Sequence, residues 1–400
     1  MERYNRRKGG WASALGYLFT HPHTDNDTME MTFIHELERI LQVNAPREVK
    51  ADFGYPPSAS DIFKSDGFDV LLNNKRFHFK PVANPDVEEA LKTYHGILAE
   101  SVQPELAFSF YKTYALNSVS RLYWLRKAAE LEHIVAQDYL GQNYYGGYGG
   151  LSQDYVEAAK WYRRAAEQGY KHSQNSLGNM YYNGKGVSQD YVEAVKWYRK
   201  AAEQGYASAQ DNLGNMYRDG KGVSQDYIEA VKWYCKAAEQ GNQYSQNSLG
   251  NMYYSGKGVS QNYAEAVKWY RKAAEQGYAW AQDNLGNMYY NGKGVSQDYV
   301  EAVKWYRKAS EQGNSSAQNH LGNMYYNGKG VSQDYSEAVK WWRKAAEQGF
   351  ATAQYHIGFS YYRGHGVPQD NAKAIDWFLK AAKKGNTNAK NKLKELGYSI

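Results

Sequence analysis

The stretch GNMYYNGKGVSQDYVEAVKWYRKAAEQG, residues 178–205, returns almost letter for letter several times further along the 400-residue chain. Its tryptophan marks the period, because Trp recurs every 36 residues from Trp161 to Trp377, and Trp124 precedes this series by 37. The extra residue lies in the loop YYGGYGGLS, which corresponds to YYNGKGVS in later copies. Self-similarity at this period predicts a stacked array of one supersecondary unit.

Two helices are indicated within each unit. Asp190 followed by Glu193 is a capping-box pattern that recurs in most copies, and it predicts a helix start. Gly205 and Gly220 stand where the helical patterns stop, as left-handed residues at helix ends commonly do. The unit is therefore a helix containing the Leu-Gly pair (the LG helix), a short Gly turn, a helix containing the Trp-Tyr pair (the WY helix), and a Gly-rich loop.

The repeated pattern AxAQxxLGxMYxxGxGVxxDYxxAxxWYxKAAEQG resembles the Sel1-like repeat, a relative of the tetratricopeptide repeat, from about Ser118 onward. This resemblance implies a right-handed α-solenoid whose LG helices line the concave side, with the WY helices behind them. Seven pairs are expected, with LG helices beginning near His133, Tyr170, Tyr206, Asn242, Tyr278, Asn314 and Phe350. A final half-unit keeps Ala389 and Leu393 but replaces the unit's Gly with Lys394, as a polar capping helix would.

Residues 1–115 differ in character from the array, residues 116–400, and predict a small α+β module. Residues 29–41 favour a helix, and residues 68–80 favour two short strands around Asn73 and Asn74. A further helix is expected from Asn84 to about Ala99, with Pro85 tolerated in its first turn. The boundary is left open, because residues 105–116 also fit a degenerate first LG helix.

Composition restricts the class of protein. Hydrophobic residues make up 42% of the chain although the mean hydropathy is −0.80, because 39 Tyr and 11 Trp combine an apolar body with a polar tip. The formal charge is +6, but one repeat unit is neutral, which argues against a polyanion-binding stripe along the array. The single cysteine, Cys235, forms no intramolecular disulfide.

The first residues make a poor signal peptide, and no run approaches the roughly 18 apolar residues of a membrane span. A cytoplasmic location is expected, with export as the alternative if the weak signal functions.

Helical geometry separates the faces of both helices. In the WY helix, Trp197, Tyr198 and Ala201 share an arc predicted to be core, and the opposite arc carries charges predicted to be solvated. In the LG helix, Gly214 and each of its equivalents lower helix stability by about 1 kcal/mol relative to Ala. Their recurrence predicts that a neighbouring helix packs closely against them.

The remaining arc of the LG helix predicts a partner-binding groove. Tyr, Asn and Ser supply rigid contact area and adaptable hydrogen bonds, and an Asn amide both donates and accepts. The alternative is that the arc reflects recent duplication of one unit, with its Asn residues merely capping or solvating. The candidate groove residues are Asn179, Tyr182, Asn215, Arg218, Tyr244, Asn251, Tyr254, Trp280, Asn287, Tyr290, Asn323, Tyr326, Tyr355 and Tyr362.

No catalytic, cofactor or metal site is predicted. His35 and Glu36 match the first two residues of the zinc-protease motif HExxH, but Arg39 stands where the second His ligand belongs. P-loop, dinucleotide and G-x-S-x-G fingerprints do not occur in the sequence.

The sequence therefore favours a non-catalytic scaffold or adaptor that holds a partner protein or an extended peptide in the groove. The resemblance adds an alternative, an immunity protein that neutralises a secreted bacterial toxin. A second alternative is an enzyme whose activity lies in residues 1–115, with the array as a targeting arm. No nucleic-acid partner is expected, although lysines near the end of the chain offer a third possibility, contact with a nucleic acid or a membrane surface. Those lysines are Lys380, Lys383, Lys384, Lys390, Lys392 and Lys394.

Overall fold

The computed structural model describes residues 68–72, 75–79, 104–112 and 118–398. The chain divides into two compact units, residues 1–200 and 201–400, which are described separately below. Within each unit, consecutive helix pairs pack as a helical solenoid, which confirms the predicted fold class of the array.

A β-hairpin is described in the N-terminal part of the first unit. Strands β1 (Phe68–Leu72) and β2 (Lys75–Phe79) are antiparallel, with Phe68 opposite Phe79. The two predicted strands are thus confirmed. The helices predicted over residues 29–41 and from Asn84 to about Ala99 lie outside the described residues, so the α+β module as a whole stays a prediction.

The described helices of the first unit begin with α1 (Pro104–Tyr111), which packs against the first WY helix and buries Ala107 and Phe108. It occupies the segment that fits a degenerate LG helix. The helices that follow are α2 (Ser118–Glu130), α3 (Ile134–Gly146), α4 (Tyr155–Glu167), α5 (Lys171–Asn183) and α6 (Tyr191–Glu203), whose last residues enter the second unit.

The second unit continues the alternation. Its LG helices are α7 (Ala207–Asp219), α9 (Gln243–Ser255), α11 (Ala279–Asn291), α13 (Ser315–Asn327) and α15 (Ala351–Arg363). Each packs against the WY helix that follows it in the chain. These WY helices are α8 (Tyr227–Glu239), α10 (Tyr263–Glu275), α12 (Tyr299–Glu311), α14 (Tyr335–Glu347) and α16 (Asn371–Lys383). The polar half-unit forms a helix as predicted, α17 (Thr387–Glu395), in which Ala389 and Leu393 are buried.

Side-chain caps explain where the WY helices begin. Asp226 Oδ1 accepts hydrogen bonds from the backbone N–H groups of Ile228 and Glu229, at 2.9 and 3.0 Å. The reciprocal half of the predicted capping box is replaced by other contacts. The N–H of Asp226 donates to the Tyr217 carbonyl at 2.9 Å, and the Glu229 carboxylate pairs with Lys232.

Glycines end the helices as predicted. Gly220 adopts a left-handed φ of 65° and its N–H donates to the Met216 carbonyl at the end of α7. Gly205 has a φ of 80° after α6. A side chain at either position strains the backbone, because residues with a Cβ rarely adopt this region.

The glycine inside each LG helix allows a close approach, as predicted, and the neighbour is an aromatic ring of the next WY helix. A Cβ on Gly250 would lie 2.6 Å from Cδ1 of Tyr270, and one on Gly322 would lie 2.5 Å from Cδ1 of Trp342. The ring therefore packs where any larger residue would collide with it.

Buried glutamines join each LG helix to the end of the preceding WY helix. Gln246 Nε2 donates to the Ala238 carbonyl at 3.1 Å, and Gln246 Oε1 accepts from Gln276 Nε2 at 2.7 Å. The Ala238 carbonyl also accepts from the Gly241 N–H at 3.0 Å, so the glutamine supplies a further donor at the end of the helix, where carbonyls lack intrahelical partners. The equivalent Gln210 donates to the Ala202 carbonyl at 3.1 Å, and sequence analysis assigned no role to these glutamines.

Candidate partner-binding surface

The candidate residues lie on the LG helices, on the arc left free by the core. Tyr244 and Trp280 are 52% and 56% exposed, and Tyr254 and Asn251 are also exposed. The remaining candidates are partly exposed, and they are Asn179, Tyr182, Asn215, Arg218, Asn287, Tyr290, Asn323, Tyr326, Tyr355 and Tyr362. We use the term LG face for the surface of the second unit formed by Tyr244, Asn251, Tyr254, Trp280, Asn287 and Tyr290.

The asparagines of this arc also take part in the fold. The Tyr270 hydroxyl donates to Asn251 Oδ1 at 2.7 Å, and the Tyr306 hydroxyl donates to Asn287 Oδ1 at 2.9 Å. The equivalent bonds reach Asn179 from Tyr198, Asn215 from Tyr234, and Asn323 from Trp342 Nε1. Sequence analysis considered binding, capping or solvation for these residues and missed this bond to the WY helix.

The amide nitrogens of three of these asparagines face no acceptor. Nδ2 of Asn251, Asn287 and Asn323 makes no hydrogen bond to any residue that the structure describes. Asn215 differs, because its Nδ2 donates to Asp211 Oδ2 at 3.0 Å. The oxygen of each amide is thus used within the fold, while three of the nitrogens are left for other acceptors.

Lysines of the Gly-rich loops hold the tyrosines of the arc. Lys293 Nζ donates to the Tyr254 hydroxyl at 2.8 Å, and Lys329 Nζ donates to the Tyr290 hydroxyl at 3.0 Å. Each lysine belongs to the repeat that follows its tyrosine. These bonds fix the rings in place and connect consecutive repeats.

One column of the LG helices that varies between repeats is mostly buried, and it consists of Asn175, Asp211, Asn247, Asp283, Asn319 and Tyr355. Ser245 Oγ donates to Asp211 at 2.6 Å, and Asp283 accepts from Ser316 at 2.9 Å. Burial raises the pKa of Asp211, and the hydrogen bond from Ser245 partly opposes this. The column therefore bonds successive LG helices to one another. Pairing across helices is invisible in a helical wheel drawn for one helix.

Arg218 interrupts the tyrosine column. Its Nε and one terminal nitrogen donate to the carboxylate of Asp219 at 2.7 and 3.0 Å. These hydrogen bonds lower the pKa of Asp219 and raise that of Arg218. A cleft of about 450 Å³ opens beside the pair. Its lining consists of Arg218, Asp219, Gln225, Tyr227, Asn251, Met252, Ser255 and Lys257.

The part of the chain that the structure describes lacks two kinds of feature. It holds no cluster of three or more His, Cys, Asp or Glu residues placed to bind a metal ion. Within the same residues, no helix combines the length and apolar character needed to cross a membrane. Cys235 is partly exposed, and burial raises the pKa of its thiol, which disfavours the reactive thiolate.

Comparison with known proteins decides the family. The Sel1 repeat model matches residues 122–133, 134–170, 171–206, 207–242, 243–278, 281–314, 315–350 and 351–386, which together make up more than half of the chain. The chain belongs to the Sel1 repeat family. The family resemblance inferred from the repeated pattern is thereby confirmed.

Two solved structures with similar sequences support this assignment. A protective antigen of uropathogenic Escherichia coli with a Sel1-like repeat fold is 39% identical, with a TM-score of 0.66, and the match covers 78% of this chain and 67% of the antigen. A Sel1 repeat protein from Oxalobacter formigenes is 36% identical, with a TM-score of 0.61, and the match covers 78% of this chain and 91% of that protein. A search of curated proteins gives no match.

Proposed function

We propose that this Sel1 repeat protein is an interaction scaffold that binds a partner protein or an extended peptide on its LG face. The family supports the general role, since Sel1 repeats generally mediate protein interactions. The observation that carries the proposal is the exposure of Tyr244 and Trp280, which are 52% and 56% exposed on LG helices of consecutive repeats. Large aromatic side chains of this kind contribute much of the binding energy at protein interfaces.

Tyr244 also contacts the next repeat. The Tyr244 ring contacts the Tyr278 ring edge-on with centroids 5.2 Å apart, and Trp280 follows Tyr278 by two residues. The Tyr244 ring therefore contacts the repeat that carries Trp280.

Polar groups on the same face can orient a bound peptide. A bond from a WY-helix tyrosine fixes the Oδ1 atoms of Asn251 and Asn287, so each amide is held in one orientation. Nδ2 is then a donor positioned in advance for a backbone carbonyl of a bound peptide. Because the amide is already ordered, binding costs less conformational entropy than with a mobile side chain.

Affinity capture with matched variants tests the proposal. The full chain serves as bait in a lysate of its source organism, beside the double variants Tyr244→Ser/Trp280→Ser and Ile228→Ser/Val300→Ser. Serine is native at equivalent positions of both pairs, as Ser208, Ser316 and Ser336 show, so both variants are expected to fold. Ile228 and Val300 are exposed on WY helices, at 59% and 53%.

We expect the wild type and Ile228→Ser/Val300→Ser to capture the same partner, and Tyr244→Ser/Trp280→Ser to lose it. Equal thermal unfolding of the three proteins is the check that the fold is intact. A partner retained by Tyr244→Ser/Trp280→Ser at the wild-type level contradicts the proposal.

The other hypotheses drawn from the sequence stay predictions. Toxin neutralisation is tested by whether the captured partner is a secreted toxin. For an enzyme in residues 1–115, the structure describes only the hairpin, α1 and Lys112 in that segment.

A further inference from the structure

We propose that the cleft beside Arg218 binds a carboxylate side chain of an acidic, extended peptide lying on the LG face. This proposal rests on the proposed function and adds a partner chemistry to it. It starts from one irregular copy of the repeat, in which Arg218 and Asp219 replace the Tyr-Asn pair found at the same place as Tyr290 and Asn291.

The irregular copy leaves a lysine without its usual acceptor. Lys293 and Lys329 each donate to a tyrosine hydroxyl of the preceding repeat. Lys257 occupies the equivalent position, but the preceding repeat offers Arg218 in place of that tyrosine. Lys257 Nζ lies 5.2 Å from the Tyr227 ring centroid and has no hydrogen bond or ion pair with the described part of the chain.

Arg218 leaves donors available as well. Its two bonds to Asp219 use Nε and one terminal nitrogen, and the second terminal nitrogen, Nη1, bonds to no described residue. The Arg218 side chain is 39% exposed. Since guanidinium offers five N–H donors in a planar fork, it can hold Asp219 and a second carboxylate together.

The neighbouring asparagine completes the cleft. Asn251 is exposed, whereas Asn179, Asn215, Asn287 and Asn323 are only partly so. Its Nδ2 has no acceptor among the described residues, and Asn251 lines the cleft together with Arg218 and Lys257. Three kinds of donor therefore border a space of about 450 Å³.

The charges select the kind of anion. Arg218 and Lys257 are cationic and Asp219 is anionic, so the three charged groups leave one positive charge unbalanced. A carboxylate, with a single negative charge, balances it. A phosphate dianion would exceed it and would lie near Asp219, where like charges repel.

Binding of defined peptides to the full chain tests the proposal. The probes are a labelled peptide of alternating Gly and Glu with both ends blocked, the same peptide with Gln in place of Glu, and the Gln peptide with a free C-terminal carboxylate. The variants are Arg218→Tyr/Asp219→Asn, which restores the pair of the neighbouring copies, Lys257→Met and Asp219→Asn. Fluorescence anisotropy at low salt gives the dissociation constants.

We expect the wild type to bind the Glu peptide about tenfold more tightly than the Gln peptide, as removal of charge-assisted bonds implies. Arg218→Tyr/Asp219→Asn and Lys257→Met should lose most of this preference. Asp219→Asn should strengthen it, because the competing carboxylate is gone. Equal binding of the Glu peptide by the wild type and Arg218→Tyr/Asp219→Asn overturns the proposal, as does a preference for the free C terminus over Glu.

Zero-length carbodiimide cross-linking locates the bound carboxylate. We expect the Glu peptide to be coupled to Lys257 in preference to Lys293 and Lys329, whose amines bond to tyrosines. Coupling confined to the exposed Lys383, Lys384 and Lys390 contradicts the cleft as the site.

The capture experiment separates the two proposals. If the scaffold proposal fails, the partner is retained by Tyr244→Ser/Trp280→Ser. If only the carboxylate proposal fails, that variant loses the partner while Arg218→Tyr/Asp219→Asn captures it as the wild type does.

Discussion

A single asparagine of the LG face serves both the fold and the surface. Asn251 accepts a bond from Tyr270 through Oδ1, while its Nδ2 is left without a described partner. Replacement by Ala would therefore disturb stability and binding together, since it also leaves the Tyr270 hydroxyl without its acceptor. The exposed aromatics are cleaner probes, because serine occupies their positions in other copies.

Gly250 provides a test of packing at this scale. Gly250→Val places methyl groups against the Tyr270 ring, and a Cβ alone would lie 2.6 Å from it. Overpacking of this kind costs roughly 1–3 kcal/mol, so urea unfolding should show a lower free energy of unfolding and the melting temperature should fall by several degrees.

The double variant Gly250→Val/Tyr270→Ala is the control for that experiment. Removal of the ring makes space for valine, so the double variant should be more stable than the sum of the single effects predicts. Strict additivity would show that the ring is not the group that excludes larger residues.

Buried tyrosines predict how stability depends on pH. Burial raises the pKa of Tyr162, Tyr198, Tyr234, Tyr270 and Tyr306 above the ordinary value of 10.0. Above that pH the unfolded chain loses phenol protons that the folded chain retains. The unfolded state then binds fewer protons, so stability falls as the pH rises.

Thermal unfolding at a series of alkaline pH values measures this dependence. Stability from these groups should be fully present below pH 10.0 and should decline above it, with a shallower decline in Tyr270→Phe. The expectation is wrong if phenolate absorbance shows all tyrosines ionising at the ordinary pKa while the helical circular dichroism is unchanged.

At the scale of the helices, the sequence predicts the elements better than their connections. The starts of α8 and α9 follow from Asp226 and Asn242, which cap the helices with their own side chains. Local chemistry of this kind is visible in a single segment. The bond from Gln276 to Gln246 joins residues 30 positions apart in the sequence. It forms only when two repeats pack against each other, so it cannot be predicted from one segment.

The buried glutamine of the last LG helix, Gln354, lacks one of the two hydrogen bonds that Gln246 makes, and a substitution can supply it. Gln354 Nε2 donates to the Ala346 carbonyl, but its Oε1 is buried and unpaired within the described residues. Lys384 stands where the other repeats have a donor such as Gln348. Lys384→Gln should supply that donor and raise the free energy of unfolding by about 1 kcal/mol.

Lys383→Gln is the matched control. Lys383 is the exposed neighbour of Lys384, and its replacement by Gln removes one positive charge, as Lys384→Gln does. Chemical denaturation of both variants measures the difference. Equal stability of the two would mean that charge, rather than the hydrogen bond, sets the outcome.

At the scale of the whole molecule, the repetition of one unit allows the fold to be predicted from the sequence, and the copies that depart from the unit indicate where the surface differs. Period, helix pairs and core columns follow from the sequence because identical units must bury the same positions. The hydrogen bond between Tyr270 and Asn251 could not be predicted in this way, because it depends on how two helices approach one another. The cleft at Arg218 could not be predicted, because it arises from an absent ring and from the direction in which the arginine turns.

Oxidative footprinting of the full chain, alone and with its captured partner, tests the central claim that the LG face binds the partner. We predict that the partner protects Tyr244 and Trp280 from labelling and leaves Ile228 and Val300 unchanged. Protection of Ile228 and Val300, with Tyr244 and Trp280 labelled as in the free protein, would contradict the claim.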